Sequence, residues 1–252
     1  MTRSATMFQI KFVTASLLSL VIASAPLLAM AQSYNPPKRG LPGRREGAGT
    51  RGTCMQGQKT LMPLTPMDGF SATASDTPTF LWYVPPTIAR NAEFLLLDGK
   101  DERLYKAKLT LTGEGGIVGF TLPASVTSSV LKPDQDYYWQ FTIICDANQP
   151  SKNPFVEGVV QRIKPNPSLT AQLQNASPQE QVNLYASAGI WQDAIAALAQ
   201  QRCSYPQNLS FATSWTKLLE SVQLKEFALE PLTQTCSVLT SKQEPFPRAM
   251  KR

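Results

Sequence analysis

Five cations between residues 38 and 51 (Lys38, Arg39, Arg44, Arg45 and Arg51) form the most suggestive chemical grouping in this 252-residue chain. They are interleaved with glycines and prolines and share the stretch with a single acid, Glu46. Such neighbours let a backbone approach a surface closely while each guanidinium stays free for two-pronged contact with phosphate or carboxylate. An Arg/Gly segment would ordinarily suggest nucleic acid, but no aromatics are interleaved and the chain opens with an export pattern, so no nucleic-acid partner is expected. The expected ligand is an anionic envelope component (phospholipid headgroups, lipopolysaccharide, acidic polysaccharide) or an acidic partner protein. A plain solvated linker is the competing reading.

Catalytic groupings are sparse. The chain has no histidine, which removes His-based triads, His general bases and every His-containing metal site. There is no G-x-S-x-G elbow, phosphate-binding loop or dinucleotide fingerprint. Two acidic sets, Asp134/Asp136 and Asp98/Asp101/Glu102, fall in turns, where solvated carboxylates are ordinary. The second set also lacks the Asp/Asn spacing of a calcium loop. A glycosidase-like pair of acids needs no histidine, so a small periplasmic carboxylate-dependent hydrolase is the alternative function. An assembly component pairing through the basic segment or a sheet edge is a third. The leading expectation is a non-enzymatic binding or structural protein with no catalytic residue, metal or cofactor.

Four cysteines, Cys54, Cys145, Cys203 and Cys236, lie far apart with no C-x-x-C pair, arguing against a zinc ribbon or thioredoxin-like site. Three pairings are possible. Chain organisation suggests Cys54 with Cys145 and Cys203 with Cys236, as staples of an exported protein. The export pattern itself is N-terminal. Arg3 and Lys11 lead into an apolar run from Phe12 to Leu28, closed by Ala29-Met30-Ala31. This predicts a signal peptide over 1–31, cleavage near Ala31/Gln32, a periplasmic or extracellular location and no transmembrane span in the mature chain.

The elements that must position these groups follow from pattern. Residues 32–53, rich in Gly and Pro with almost nothing apolar beyond Tyr34 and Leu41, predict a mobile arm. Short β-rich runs then recur over 54–165: Pro78 to Pro85, Glu93 to Leu97, Leu104 to Leu111, Ile117 to Leu122, Asp136 to Cys145 and Val156 to Lys164. Their number and spacing predict an antiparallel sandwich of immunoglobulin or fibronectin type III kind. Leu131-Lys132-Pro133 ahead of Tyr137 predicts a tyrosine corner, with Tyr137, Trp139, Phe141 and Ile143 facing the core. Over 168–240 the period turns helical. Ser177-Pro178-Gln179-Glu180 is a capping box, Gly189 a stop, and Trp191, Ala194, Ile195 and Leu198 one apolar stripe. Trp215, Leu218, Leu219 and Val222 repeat it, predicting a helical hairpin, and 241–252 reads as a frayed tail. The fold class expected is therefore mostly β with a C-terminal α region.

The run Arg39-Gly40-Leu41-Pro42-Gly43-Arg44-Arg45-Glu46-Gly47-Ala48-Gly49-Thr50-Arg51-Gly52 resembles the opening motif of a secreted cyanobacterial family of unknown function. Pro78 to Pro85, Ile144-Cys145-Asp146, Phe155-Val156-Glu157-Gly158 and Tyr185 to Ala194 are similar to further segments of that family. The resemblance implies secretion and no established activity. It also implies pairing of Cys54 with Cys145, which both fall in matched segments.

Charge is unevenly spread. The 24 Lys and Arg exceed the 18 Asp and Glu by six, yet residues 54–252 carry seventeen of each. The excess sits at the termini, so attraction to an anionic partner should be local and salt-sensitive.

Overall fold

The strand from Thr79 to Val84 shows no alternation of apolar and polar residues because neither of its faces meets solvent. Phe80, Trp82 and Val84 enter one core cluster, while Leu81 and Tyr83 enter another. A strand buried on both sides reads as a continuous apolar run, and this one is the middle layer of the molecule. The computed structural model describes residues 33–37, 54–236 and the backbone of 242–243.

The strands are β1 (Met62–Pro63), β2 (Phe70–Thr73), β3 (Thr79–Val84), β4 (Asn91–Leu97), β5 (Arg103–Thr110), β6 (Gly116–Thr121), β7 (Asp136–Ile143), β8 (Phe155–Arg162) and β9 (Lys242–Gln243). They form two open sheets. The smaller has the order β1-β3-β6; the larger runs β2-β8-β7-β4-β5, with the two-residue β9 beside β5. Between the sheets lies the first core, centred on Trp82, which stacks on Phe141 at 4.1 Å and meets Trp139 edge-on at 5.9 Å. As the alternation predicts, Tyr137, Trp139, Phe141 and Ile143 all face this core. The tyrosine corner is also present. The Tyr137 hydroxyl donates to Val130 O and accepts from Lys132 N, both at 2.9 Å.

The helices are α1 (Ala124–Val130), α2 (Pro167–Asn175), α3 (Pro178–Ser187), α4 (Trp191–Ser204) and α5 (Leu209–Glu220). The capping box of α3 forms as expected, with Ser177 and Glu180 bonding reciprocally. The second core joins α3, α4 and α5 to the outer face of the small sheet through Leu81, Tyr83 and Ile117. The first turn of α4 makes three polar links to the sandwich backbone. Trp191 Nε1 donates to Leu64 O at 2.8 Å, Gln192 Nε2 donates to Thr79 O, and Asp193 Oδ2 accepts from Ala74 N at 3.0 Å.

Several expectations change. The chain is a mixed α/β protein, with four α-helices from Pro167 onward among the described residues rather than a hairpin. α2 escaped the pattern because it buries none of its residues and so carries no apolar stripe. The sandwich is not wholly antiparallel, since β2 runs parallel to β8 with Phe70 opposite Val159. Residues Ser33–Pro37, the start of the expected mobile arm, are docked. Tyr34 is buried edge-on against Trp191 at 5.0 Å, and Asn35 N donates to Ala186 O. Gly189 receives this segment. It has a φ of +75°, and a Cβ there would stand 2.8 Å from Asn35 O. Lys242 and Gln243, expected in a frayed tail, pair with Lys108 and Ala107 of β5. The signal segment 1–31 lies outside the described residues.

Candidate functional site

Because β7 turns Tyr137, Trp139 and Phe141 inward, Tyr138, Gln140 and Thr142 must point to the open face of the large sheet. On that face a groove of about 750 Å³ runs between the strands and the loop after β7. Its floor is polar: Asn91 and Glu93 from β4, Lys106 and Lys108 from β5, Gln140 and Thr142 from β7. Glu93 sits opposite Lys108 in register and pairs with Lys106, Oε2 to Nζ at 2.6 Å. Among the described residues the floor thus brings two lysines and one glutamate together. Amide and hydroxyl groups stand beside them, and Ile144, Pro150 and Phe155 add apolar wall, a set suited to an extended ligand with both polar and apolar faces, hydroxyl-rich or weakly acidic.

The rim is rigidly built. Asn153 Oδ1 accepts from Cys145 N and Asp146 N, both at 2.9 Å, and its Nδ2 donates to Asp146 O. Cys145 is bonded to Cys54. Cys54 is held in turn, its carbonyl accepting from Ile88 N and from the Thr87 hydroxyl. The four cysteines expected to form staples do so, as Cys54–Cys145 and Cys203–Cys236. The second bridge ties α4 to the return segment Pro231–Cys236, which runs beside β6 and accepts from Ile117 N through Pro231 O.

Of the other residues singled out in the sequence, Lys38, Arg39, Arg44, Arg45 and Arg51 lie outside the described residues. Asp98 serves its turn, its Oδ1 accepting from Lys100 N and Glu102 N. Asp136, expected in a turn, instead opens β7, and its Oδ1 accepts from Nε2 of Gln161, its partner in β8. Asp101 does line a hollow of about 230 Å³ with Asp68, Glu157 and Tyr138 at the other end of the same face. Among the described residues no group of three or more His, Cys, Asp or Glu side chains could hold a metal ion, and no helix is long and apolar enough to cross a membrane.

Sequence reading passed over Lys106, Lys108 and Gln140. Their signal was available: they occupy the outward positions of two strands whose inward positions are all apolar. It also passed over Asp193, which looks like an ordinary first-turn acid but is nearly buried.

Two facing sheets, helices bonded to the smaller one and a lysine-bearing polar groove on the open face of the larger define a mixed α/β scaffold with a preformed concavity. The chain belongs to the family described as Domain of Unknown Function (DUF928), whose model matches residues 46–232. That span takes in both sheets, the groove and Arg51, and begins after Lys38, Arg39, Arg44 and Arg45. None of the curated proteins matches the chain.

Proposed function

We propose that this protein is an exported, non-enzymatic binding protein of the cell envelope that holds an anionic polymer with its basic segment and its groove together. One covalent relationship carries the reading. Cys54, where the basic segment enters the described body, is bonded to Cys145 on the groove's rim. Arg51 is three residues from Cys54, so about 10 Å of extended chain at most separates it from that bond. The bond supports reading the segment and the groove, whose lining includes Lys106 and Lys108, as parts of one binding surface.

Export is supported by the N-terminal pattern and by two disulfides, which persist in oxidising compartments. The sandwich is read as immunoglobulin- or fibronectin type III-like. Its support is the strand order β1-β3-β6 against β2-β8-β7-β4-β5 together with the Tyr137 corner.

The test is binding of the disulfide-bonded protein to alginate, to phosphatidylglycerol-rich vesicles and to an acidic protein, at low and high salt. Two variants are compared with it: Arg39, Arg44, Arg45 and Arg51 changed to Gln, and Lys106 and Lys108 changed to Gln. Salt-sensitive binding to alginate that weakens in both variants is the expected result. Equal binding by both variants and the parent sinks the proposal, and binding to vesicles or acidic protein alone replaces the polysaccharide as ligand.

A further inference from the structure

On the opposite side of the sandwich from the groove, α3 and α4 meet the loop between β2 and β3 around a hollow of about 220 Å³. Its lining includes Thr77 from the loop, Thr79 at the start of β3, Gln181 and Tyr185 from α3, and Gln192 and Asp193 from α4. Gln192 is 3% exposed and Asp193 9%. The Gln192 amide nitrogen is used in the link to Thr79 O, but its Oε1 has no hydrogen-bond partner. Asp193 accepts from backbone amides and from the Thr73 hydroxyl, and no cationic side chain pairs with it among the described residues.

Both deficits have the same sign. A buried carboxylate without a counter-charge and a buried carbonyl without a donor each cost free energy, and each is relieved by a donor that carries positive charge. The hollow has room for several waters at about 30 Å³ each, and water could satisfy the carbonyl. A cation carrying N–H donors would serve both groups at once, since it would also compensate the carboxylate, which otherwise takes up a proton as pH falls through about 6. One carboxylate calls for one positive charge, and the Tyr185 ring at the edge offers a further favourable contact to it.

We propose that this hollow is a binding site for a singly charged organic cation, an ammonium or guanidinium group, seated between the Asp193 carboxylate and the Gln192 side-chain carbonyl. The site is independent of the groove and does not rest on the function proposed for it. A free small amine and the tip of a Lys or Arg side chain share this chemistry.

The experiment titrates the full disulfide-bonded chain with methylguanidinium and with n-propylammonium, following the amide resonances of Ala74 and Asp193. N-methylurea, a neutral donor of similar shape, is the control. Two variants separate charge from space: Asp193→Asn removes the charge, and Ala196→Leu fills the hollow from α4 while leaving every polar group in place. Saturable shifts with the cations, none with N-methylurea, and weakening of about tenfold or more in either variant are expected. Should Asp193→Asn fail to fold, Ala196→Leu decides alone. A blocked Gly-Arg-Gly peptide that binds like the free cation assigns the ligand to a protein side chain, and failure of the peptide alone assigns it to a small molecule. Absence of saturable binding, an equal response to N-methylurea, or undiminished binding in Ala196→Leu overturns the proposal.

Discussion

The Asp193 carboxylate and the backbone N–H of Ala74 meet at 3.0 Å across 119 residues of sequence. With Trp191 bonded to Leu64 O and Gln192 to Thr79 O, three consecutive residues of α4 hold three separate points of the sandwich backbone. The helices are thereby fixed to the small sheet and, through Ala74 beside β2, to the large one by directional bonds, as well as by the second core. Loss of packing on either side should weaken the other, so the described body should unfold as one cooperative unit.

Asp193 makes that stability depend on pH. Burial pushes its carboxyl from the ordinary 3.8 up to about 6, against the opposing effect of the amide and hydroxyl donors around it. A pKa raised on folding means that the native state holds the proton more tightly than the unfolded chain does. The associated stability is fully present below about pH 4 and is lost as pH rises through about 6. At 1.36 kcal/mol per pKa unit, the loss is about 3 kcal/mol. Urea unfolding between pH 4 and 7, with disulfides intact, should show this decline in the parent protein and not in Asp193→Asn. Glu180, held below the usual carboxylate range by Ser177, titrates in both proteins and cancels in the comparison.

Tyr34 is buried against Trp191, yet its hydroxyl has no hydrogen-bond partner among the described residues. Tyr34→Phe should therefore leave stability unchanged or raise it by about 1 kcal/mol, since it removes a buried polar group that gains nothing. Tyr34→Ala should cost about 2–4 kcal/mol through the lost ring and the exposed Trp191 face. Thermal unfolding of the two variants distinguishes them, and an increase in Trp191 exposure should appear in the fluorescence of Tyr34→Ala alone.

What could be read from the sequence was whatever local chemistry decides. Ser177 and Glu180 announce a helix start because each satisfies the other's backbone donor, and Tyr137 announces its corner because the acceptor lies seven residues away. Relationships between distant segments left fainter marks. The missing alternation in Thr79–Val84 did signal burial on both faces, but nothing in those residues says that helices supply the second layer. Tyr34 stood alone among Gly and Pro, and its docking depends on a hollow made by Ala186, Gly189 and Trp191. At the candidate site the basic segment was conspicuous through composition. Lys106 and Lys108 were inconspicuous because an outward lysine on a strand is ordinary until the loop beyond Cys145 turns the face into a groove.

The Tyr137 hydroxyl is the junction of the turn before β7, bonding Val130 O and Lys132 N at once. Tyr137→Phe leaves the ring in the core and orphans both backbone groups, so it should cost about 1–3 kcal/mol. Chemical denaturation should show the lower midpoint without a change in the slope, because the buried surface is retained.

Gly158 lies under the indole of Trp139. A Cβ at this position would stand 2.4 Å from Trp139 Cζ2 and 2.8 Å from Gly69 O. Gly69 O also accepts from Val159 N, within the parallel pairing of β2 and β8. Gly158→Ala should therefore push Trp139 from its place beside Trp82 and loosen β2 together, at a cost of about 1–3 kcal/mol. A changed near-ultraviolet circular dichroism spectrum, with far-ultraviolet signal kept, would report the displaced indole.

The Cys203–Cys236 bridge has a different job from its partner at the groove. It closes a sequence separation of 33 residues, for which chain entropy predicts a contribution of about 4 kcal/mol. The segment it secures bonds β6 of the small sheet and the end of β5 in the large one. Thr235 Oγ1 donates to Ile117 O, Gln234 Nε2 donates to Thr110 O, and Gln234 Oε1 accepts from Thr112 N. Replacing both cysteines by serine should lower stability by that order and free these bonds first, since the segment has little other apolar anchorage. Hydrogen exchange at Ile117 and Thr112 should accelerate by a larger factor than at Phe94 in the centre of the large sheet. A uniform acceleration at all three would show instead that the bridge stabilises only by constraining the unfolded chain.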